Sequence, residues 1–169
     1  RSTQEKAFSK ALHEALKDAA GSGEKVAVLS LKMGGMRRIR GLYGREFIDT
    51  MARTIHERIQ STLRPTDYMQ ALGGCEFLLC LPRIKNIGHL RLAIKKLITE
   101  LEQEFELGGQ VVTSPPAIGA SLYPDTTWSL DELINAAEHA LSQARSSDET
   151  FLISEPLSSE ASSRWDVEE

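Results

Sequence analysis

Ala7, Phe8, Ala11, Leu12, Ala15, Leu16 and Ala19 recur at intervals of three and four, the stripe of an amphipathic helix over about residues 5–20. Gly21-Ser22-Gly23 stops it, and the β-branched, apolar run Lys25 to Leu31 predicts a central strand. Met33 to Gly44 contains several glycines and reads as a connecting stretch. A second helix is predicted from about Arg45 to Leu63, with Phe47, Met51, Ile55 and Ile59 on one face and Pro65 as its stop.

Two short strands, Tyr68 to Leu72 and Glu76 to Leu81, surround Gly73-Gly74, a direct hairpin signal, and Pro82 closes the second. Leu90, Ile94, Leu97, Ile98 and Leu101 define a third helix from about Ile87 to Phe105. Gly108-Gly109 then turns the chain into Val111–Val112 and Ala117–Leu122, one strand broken or bulged at Pro115-Pro116. Ser129-Leu130-Asp131-Glu132 is a capping box for a fourth helix reaching about Arg145, and Phe151 to Ile153 makes a last strand. The order αβαββαβαβ, with helices between strands and one tight hairpin, fits an α/β sandwich on a mixed central sheet.

At 169 residues, 41% apolar and 26% charged, the chain suits one compact domain over residues 1–153. Residues 154–169, rich in Ser and Glu, read as a polar linker or disordered tail. No run is long and apolar enough to cross a bilayer, so no membrane contact is expected of this domain. A net charge of −4 argues against nucleic acid as a partner. Cys75 and Cys80 lie in or beside an apolar strand, with no other cysteine to complete a metal site, and His13, His56, His89 and His139 show no ligand spacing. Cytoplasmic location fits this cysteine usage. The chain opens on Arg1 rather than Met and ends in the polar tail, as a piece of a longer protein would.

Four segments in order then carry a family resemblance over about residues 7–153. They are Leu63-Arg64-Pro65-Thr66-Asp67, the hairpin Gly73-Gly74-Cys75-Glu76-Phe77, the strand Ala117-Ile118-Gly119-Ala120-Ser121-Leu122-Tyr123-Pro124, and the helix Leu133 to Leu141. Together they resemble the GGDEF domains, which condense two GTP molecules into cyclic di-GMP. The resemblance implies a nucleotidyl-cyclase fold, a ferredoxin-like α+β arrangement with helices on a mixed sheet.

In that family the reaction runs across a dimer, with Mg²⁺ held by carboxylates because hard cations want oxygen ligands. One carboxylate position falls at Lys32 and the other at Cys75. An ammonium cannot ligate Mg²⁺, and a thiol is a soft, poor substitute. The guanine-contacting Asn of the family falls at Arg40, and the Gly-Asp pair opening the next helix keeps only its acid, as Ile48-Asp49. Arg145 stands for the family's lysine near the end of the fourth helix, while the following arginine has become Glu149. Glu76 is retained, and without partner carboxylates it reads best as a polar strand residue. The expectation is a degenerate domain with no catalytic residue and no bound Mg²⁺.

The family's product-inhibition motif, Arg-x-x-Asp five residues before the glycine pair, is present as Arg64 and Asp67. A guanidinium can donate a bidentate fork to guanine or phosphate, and a carboxylate can accept from guanine N1 and N2. The bland alternative is a helix end and a turn, where an Arg meets carbonyls and an Asp favours the bend. Arg91 and Lys95 on the third helix are the candidates to complete such a pocket. The sequence thus leaves open a cyclic di-GMP receptor, a ligand-free interaction module beside a sensor or an EAL phosphodiesterase domain, and a GTP sensor in which Lys32 partly replaces Mg²⁺. Homodimerisation is also open, and retained cyclase activity is the weakest reading.

Overall fold

The computed structural model describes residues 3–155, so the expected polar tail lies almost wholly outside the described residues. The elements are α1 (Thr3–Ser22), β1 (Lys25–Met33), α2 (Met36–Tyr43), α3 (Arg45–Thr62), β2 (Tyr68–Gly73), β3 (Glu76–Ile84), α4 (Ile87–Leu101), β4 (Phe105–Leu107), β5 (Gln110–Val112), β6 (Pro116–Tyr123), α5 (Leu130–Ser146) and β7 (Phe151–Ile153). Five strands form one sheet in the order β2-β3-β1-β6-β7. Only β7 against β6 is parallel; the other pairs are antiparallel. This is the mixed sheet flanked by helices that the pattern predicts.

Strand β1 is central, and its alternating side chains divide the core in two. Ala27, Leu29, Leu31 and Met33 pack with Met51, Ile55 and Ile59 of α3 and with Leu90, Ile94 and Leu97 of α4. Val26 and Val28 face the other way, with Phe8 and Leu12 of α1 and Leu133 and Ala137 of α5. Helix α5 lies so close on β6 that a Cβ at Gly119 would stand 2.0 Å from Leu141 N and 2.2 Å from Ala137 O. Only glycine allows that approach. Ser129 caps α5 by accepting from Glu132 N at 3.5 Å, but the reciprocal half of the capping box is absent: the Glu132 carboxylate accepts from Thr127 Oγ1 instead.

Four local expectations need correction. The glycine-containing stretch Met33 to Gly44 holds a helix, α2; it is two turns long and buries only Ile39 fully, too little for a periodic signal, and glycines with positive φ bound it. Strand β3 runs past Pro82 to Ile84, because Pro82 and Arg83 fall where the register with β1 shifts, a bulge that spares proline a ladder bond. Helix α4 ends at Leu101 rather than Phe105. There Arg58 of α3 donates to the carbonyls of Gln103 (2.8 Å) and Glu104 (2.6 Å) and covers the Phe105 ring at 4.0 Å, pinning the reversal. Val111–Val112 belongs to a separate hairpin, β4 with β5, and not to a bulged β6. Among the described residues no helix is long and apolar enough to cross a membrane.

Candidate functional site

The site begins at the β2–β3 hairpin. Gly73 pairs with Glu76, which leaves Gly74 and Cys75 as the two turn residues, both with φ of 61°. The turn is therefore one residue later than the glycine pair suggests. Positive φ at both central positions is the requirement of a tight turn matching strand twist, and Cys75 meets it at a steric cost on the order of 1 kcal/mol. Its carbonyl accepts from Met33 N at 3.2 Å, tying the turn to the end of β1.

Strand alternation sends neighbouring hairpin residues to opposite faces. Cys75 and Phe77 enter the α3–α4 core, and Cys75 is only 1% exposed. Burial pushes its thiol up to about 11; the Arg40 guanidinium pulls it down and the Asp49 carboxylate adds to the rise. Near neutral pH it is a neutral, apolar filler. The structure thus gathers Cys75, Arg40 and Asp49 at one end of the sheet. Glu76 points to the other face, opposite Lys32 in register, and Lys32 Nζ lies 2.8 Å from Glu76 Oε1. Both partners are about one-third exposed, at 32% and 38%. Sequence reasoning assigned Glu76 no partner; the cross-strand lysine supplies one.

Arg145 and Glu149 sit on the exposed last turn of α5 and just after it. That helix passes Ser121 at Leu133 and Gly119 near Leu141, so its C-terminal end runs toward the Lys32 end of the sheet. A cavity of about 420 Å³ opens between α3 and the hairpin, lined by Ala52, Arg53, His56, Ala71, Cys75 and Phe77 among others. His56 was read from the sequence only as a histidine without ligand spacing and Arg53 was not singled out, because helix phase shows them only as solvent-facing positions. Among the described residues no three of His, Cys, Asp or Glu come close enough to hold a metal ion.

Arg64 and Asp67 are adjacent and already satisfied by each other. Asp67 Oδ1 accepts from Arg64 Nη2 (2.7 Å) and Nε (3.1 Å), and Oδ2 accepts from the Arg64 backbone N–H (2.7 Å). The same guanidinium donates to the carbonyls of Pro82 (2.5 Å) and Arg83 (3.4 Å). The Asp67 side chain is 4% exposed and that of Arg64 37%. This arrangement clamps the α3–β2 turn to the end of β3. A cavity of about 220 Å³ lies beside it, lined from α4 by His89, Leu92, Ala93, Lys96 and Leu97. Arg91 and Lys95 do not line it: they fall between the i, i+3, i+4, i+7 positions of that helix face, and His89 and Lys96 occupy the places expected of them. On the other side, a 360 Å³ cleft against α1 carries Glu14, Asp18 and Glu24.

Residues 4–150 match the family described as diguanylate cyclase, GGDEF domain. The chain belongs to the GGDEF family. It is 28% identical over 134 residues to the bifunctional diguanylate cyclase/cyclic di-GMP phosphodiesterase MucR of Pseudomonas aeruginosa, covering 79% of this chain and 19% of MucR. It is 30% identical over 155 residues to the diguanylate cyclase TpbB of that organism, covering 88% of this chain and 35% of TpbB. The solved GGDEF domain of TpbB superposes with a TM-score of 0.84 at 27% identity, over 88% of this chain and 87% of that one. The chain spans between 16% and 35% of such curated relatives, so this GGDEF domain corresponds to one part of them. It is a domain type found in cyclic di-GMP signalling proteins.

Proposed function

We propose that this GGDEF domain makes no cyclic di-GMP and serves as a regulatory module within a cyclic di-GMP signalling protein. The Lys32–Glu76 ion pair carries this reading. A divalent cation at the expected place needs several hard oxygen ligands. The residues present offer Glu76, already held by an ammonium, a neutral buried thiol at Cys75, and Asp49 on the other face beside the Arg40 guanidinium. They do not fit Mg²⁺. Arg40 further replaces an amide that would read guanine with a group that has no acceptor. What remains is a folded domain whose surfaces can couple neighbouring domains, such as the phosphodiesterase part that MucR's name records for MucR.

The test is direct. Purified protein is incubated with GTP and either Mg²⁺ or Mn²⁺, and products are resolved by chromatography and mass spectrometry. No cyclic di-GMP above a no-enzyme control supports the proposal; turnover that scales with protein concentration overturns it.

A second reading keeps Arg64 and Asp67 as a cyclic di-GMP site. In its favour stand the part-exposed guanidinium and the adjacent cavity, where His89 and Lys96 would add donors for a phosphate. Against it, the Asp67 carboxylate and the Nε and Nη2 donors of Arg64 are engaged in the clamp, so a ligand that needs them must first take them from it. Calorimetric titration with cyclic di-GMP decides it: saturable heat lost in Arg64→Ala supports a receptor, and no heat at high micromolar ligand leaves the ligand-free module.

A further inference from the structure

Next to the hairpin end of the sheet, and sharing Arg40 with it, α2 and the start of α3 carry a concentration of positive charge. From Lys32 to Arg45 the chain carries Lys32, Arg37, Arg38, Arg40 and Arg45 and no acid, in a protein of net charge −4. Lys32 is paired with Glu76. The other four are exposed, and among the described residues none of them makes an ion pair. Glu46 and Asp49, the nearest acids in the sequence, are exposed as well and form no ion pair with them.

This arrangement works against the helix that carries it. Arg37 and Arg38 stand in the first turn of α2, which holds no acidic residue, and Gly35 supplies no side-chain cap. Cations at a helix N-terminus oppose the macrodipole, and the arginines repel one another. Apolar side chains sit among them: Leu42 is 59% exposed, one turn from Arg38, and Tyr43 is 37% exposed with its ring held on Phe47 at 4.7 Å. Arginine and tyrosine around an apolar centre is the composition of a protein–protein contact.

We infer that α2 together with Arg45 is a docking surface for an acidic face of another protein domain, whose carboxylates meet the arginines while an apolar side chain covers Leu42 and Tyr43. Charge complementarity chooses the occupant. A long polyanion, such as nucleic acid or an anionic bilayer, would extend past this two-turn helix onto a net-acidic surface and be repelled there. A discrete acidic face need not.

The experiment uses the 169-residue chain and three probes: a labelled amphipathic peptide of alternating Glu and Leu, a DNA duplex of matched charge, and phosphatidylglycerol vesicles. Saturable anisotropy change with the peptide is expected, weakened about tenfold or more by the double variant Arg37→Glu, Arg38→Glu, a loss of roughly 1.4 kcal/mol or more. Leu42→Ser should weaken it severalfold, which a purely ionic attraction would not show. These side chains are exposed, so thermal midpoints should not fall, and the charge reversal should hold or slightly raise the midpoint as acids replace cations in the first turn of α2, which confirms folding. The inference is overturned by peptide binding that survives the charge reversal, or by no peptide binding. It is equally overturned by tighter binding of DNA or vesicles lost in the same variants, or by self-association that the same variants abolish.

Discussion

Replacing Asp67 by alanine tests whether the Arg-x-x-Asp motif of this chain is first of all a structural clamp. The substitution removes the acceptor of the Arg64 backbone N–H at 2.7 Å and of the guanidinium at 2.7 and 3.1 Å, and the lost carboxylate is only 4% exposed. Hydrogen bonds to charged groups contribute about 1.5–3 kcal/mol each when buried. Arg64 is 37% exposed, so water recovers part of the guanidinium's share. The backbone N–H, at the end of α3, behaves like a lost cap of about 1 kcal/mol. The sum is about 2–3 kcal/mol, which for a domain of this size lowers the thermal midpoint by roughly 4–12 °C. Urea denaturation followed by circular dichroism gives the free energy, with an unchanged m-value showing that the unfolding transition is the same one. Asp67→Asn, which keeps one acceptor oxygen, should lose about half as much. A loss within about 0.5 kcal/mol for Asp67→Ala, the level of an ordinary surface substitution, would refute the clamp and return the motif to a ligand role. The result also governs titrations with cyclic di-GMP, since lost binding in a clamp variant means something only if the protein is still folded.

Gly119→Ala should be severely destabilising, by about 3 kcal/mol or more, because the new methyl would overlap the α5 backbone at 2.0–2.7 Å and the helix would have to lift from β6; soluble yield and thermal midpoint read this out, and a wild-type midpoint would show that α5 moves freely. Cys75 and Cys80 should resist alkylation at pH 8 in the folded protein, since burial pushes their thiols to about 11 and about 12 from the ordinary 9.0, cutting the Cys75 thiolate fraction on the order of a hundredfold; both should react on unfolding. The same shifts fix the sign of a pH effect. The folded state holds the thiol protons more tightly, so this stability is fully present below about pH 9 and is lost as pH rises toward 11 and 12, and denaturation midpoints that stay level across that range would contradict it.

The elements that were legible in the sequence are those whose burial is periodic. Phe47, Met51, Ile55 and Ile59 give α3, and Leu90, Ile94 and Leu97 give α4, because each helix lays one continuous stripe on the sheet. Helix α2 was not legible, since only Ile39 is fully buried, Met36 packs on the core in part, and two apolar positions make no periodic stripe. The β4–β5 hairpin was hidden for a related reason: three-residue strands have no period to show, and Arg58 holds the turn from a distant helix. At the site, identities at Lys32, Cys75, Arg64 and Asp67 were readable, but pairings were not. Which carbonyls Arg64 reaches depends on the bulge at Pro82 and Arg83, and Lys32 meets Glu76 only through the register of β1 with β3.

On the proposed reading, that register and the burial of the turn together account for a lysine at position 32 and a cysteine at position 75. A carboxylate at position 75, with a side chain 1% exposed and Asp49 acting on it, would be costly to bury unless a cation neutralised it. A thiol at the same place is uncharged near neutral pH and joins the α3–α4 core. On the opposite face, a carboxylate at position 32 would confront Glu76 directly across the strand pair, and like charges there are destabilising. Lysine turns that repulsion into an ion pair at 2.8 Å. On the proposed reading, the charges at these two positions are balanced inside the chain, by Lys32 on one face and by a neutral thiol on the other. Reverting one alone should therefore recreate an unmet charge on one face while leaving the other face self-sufficient.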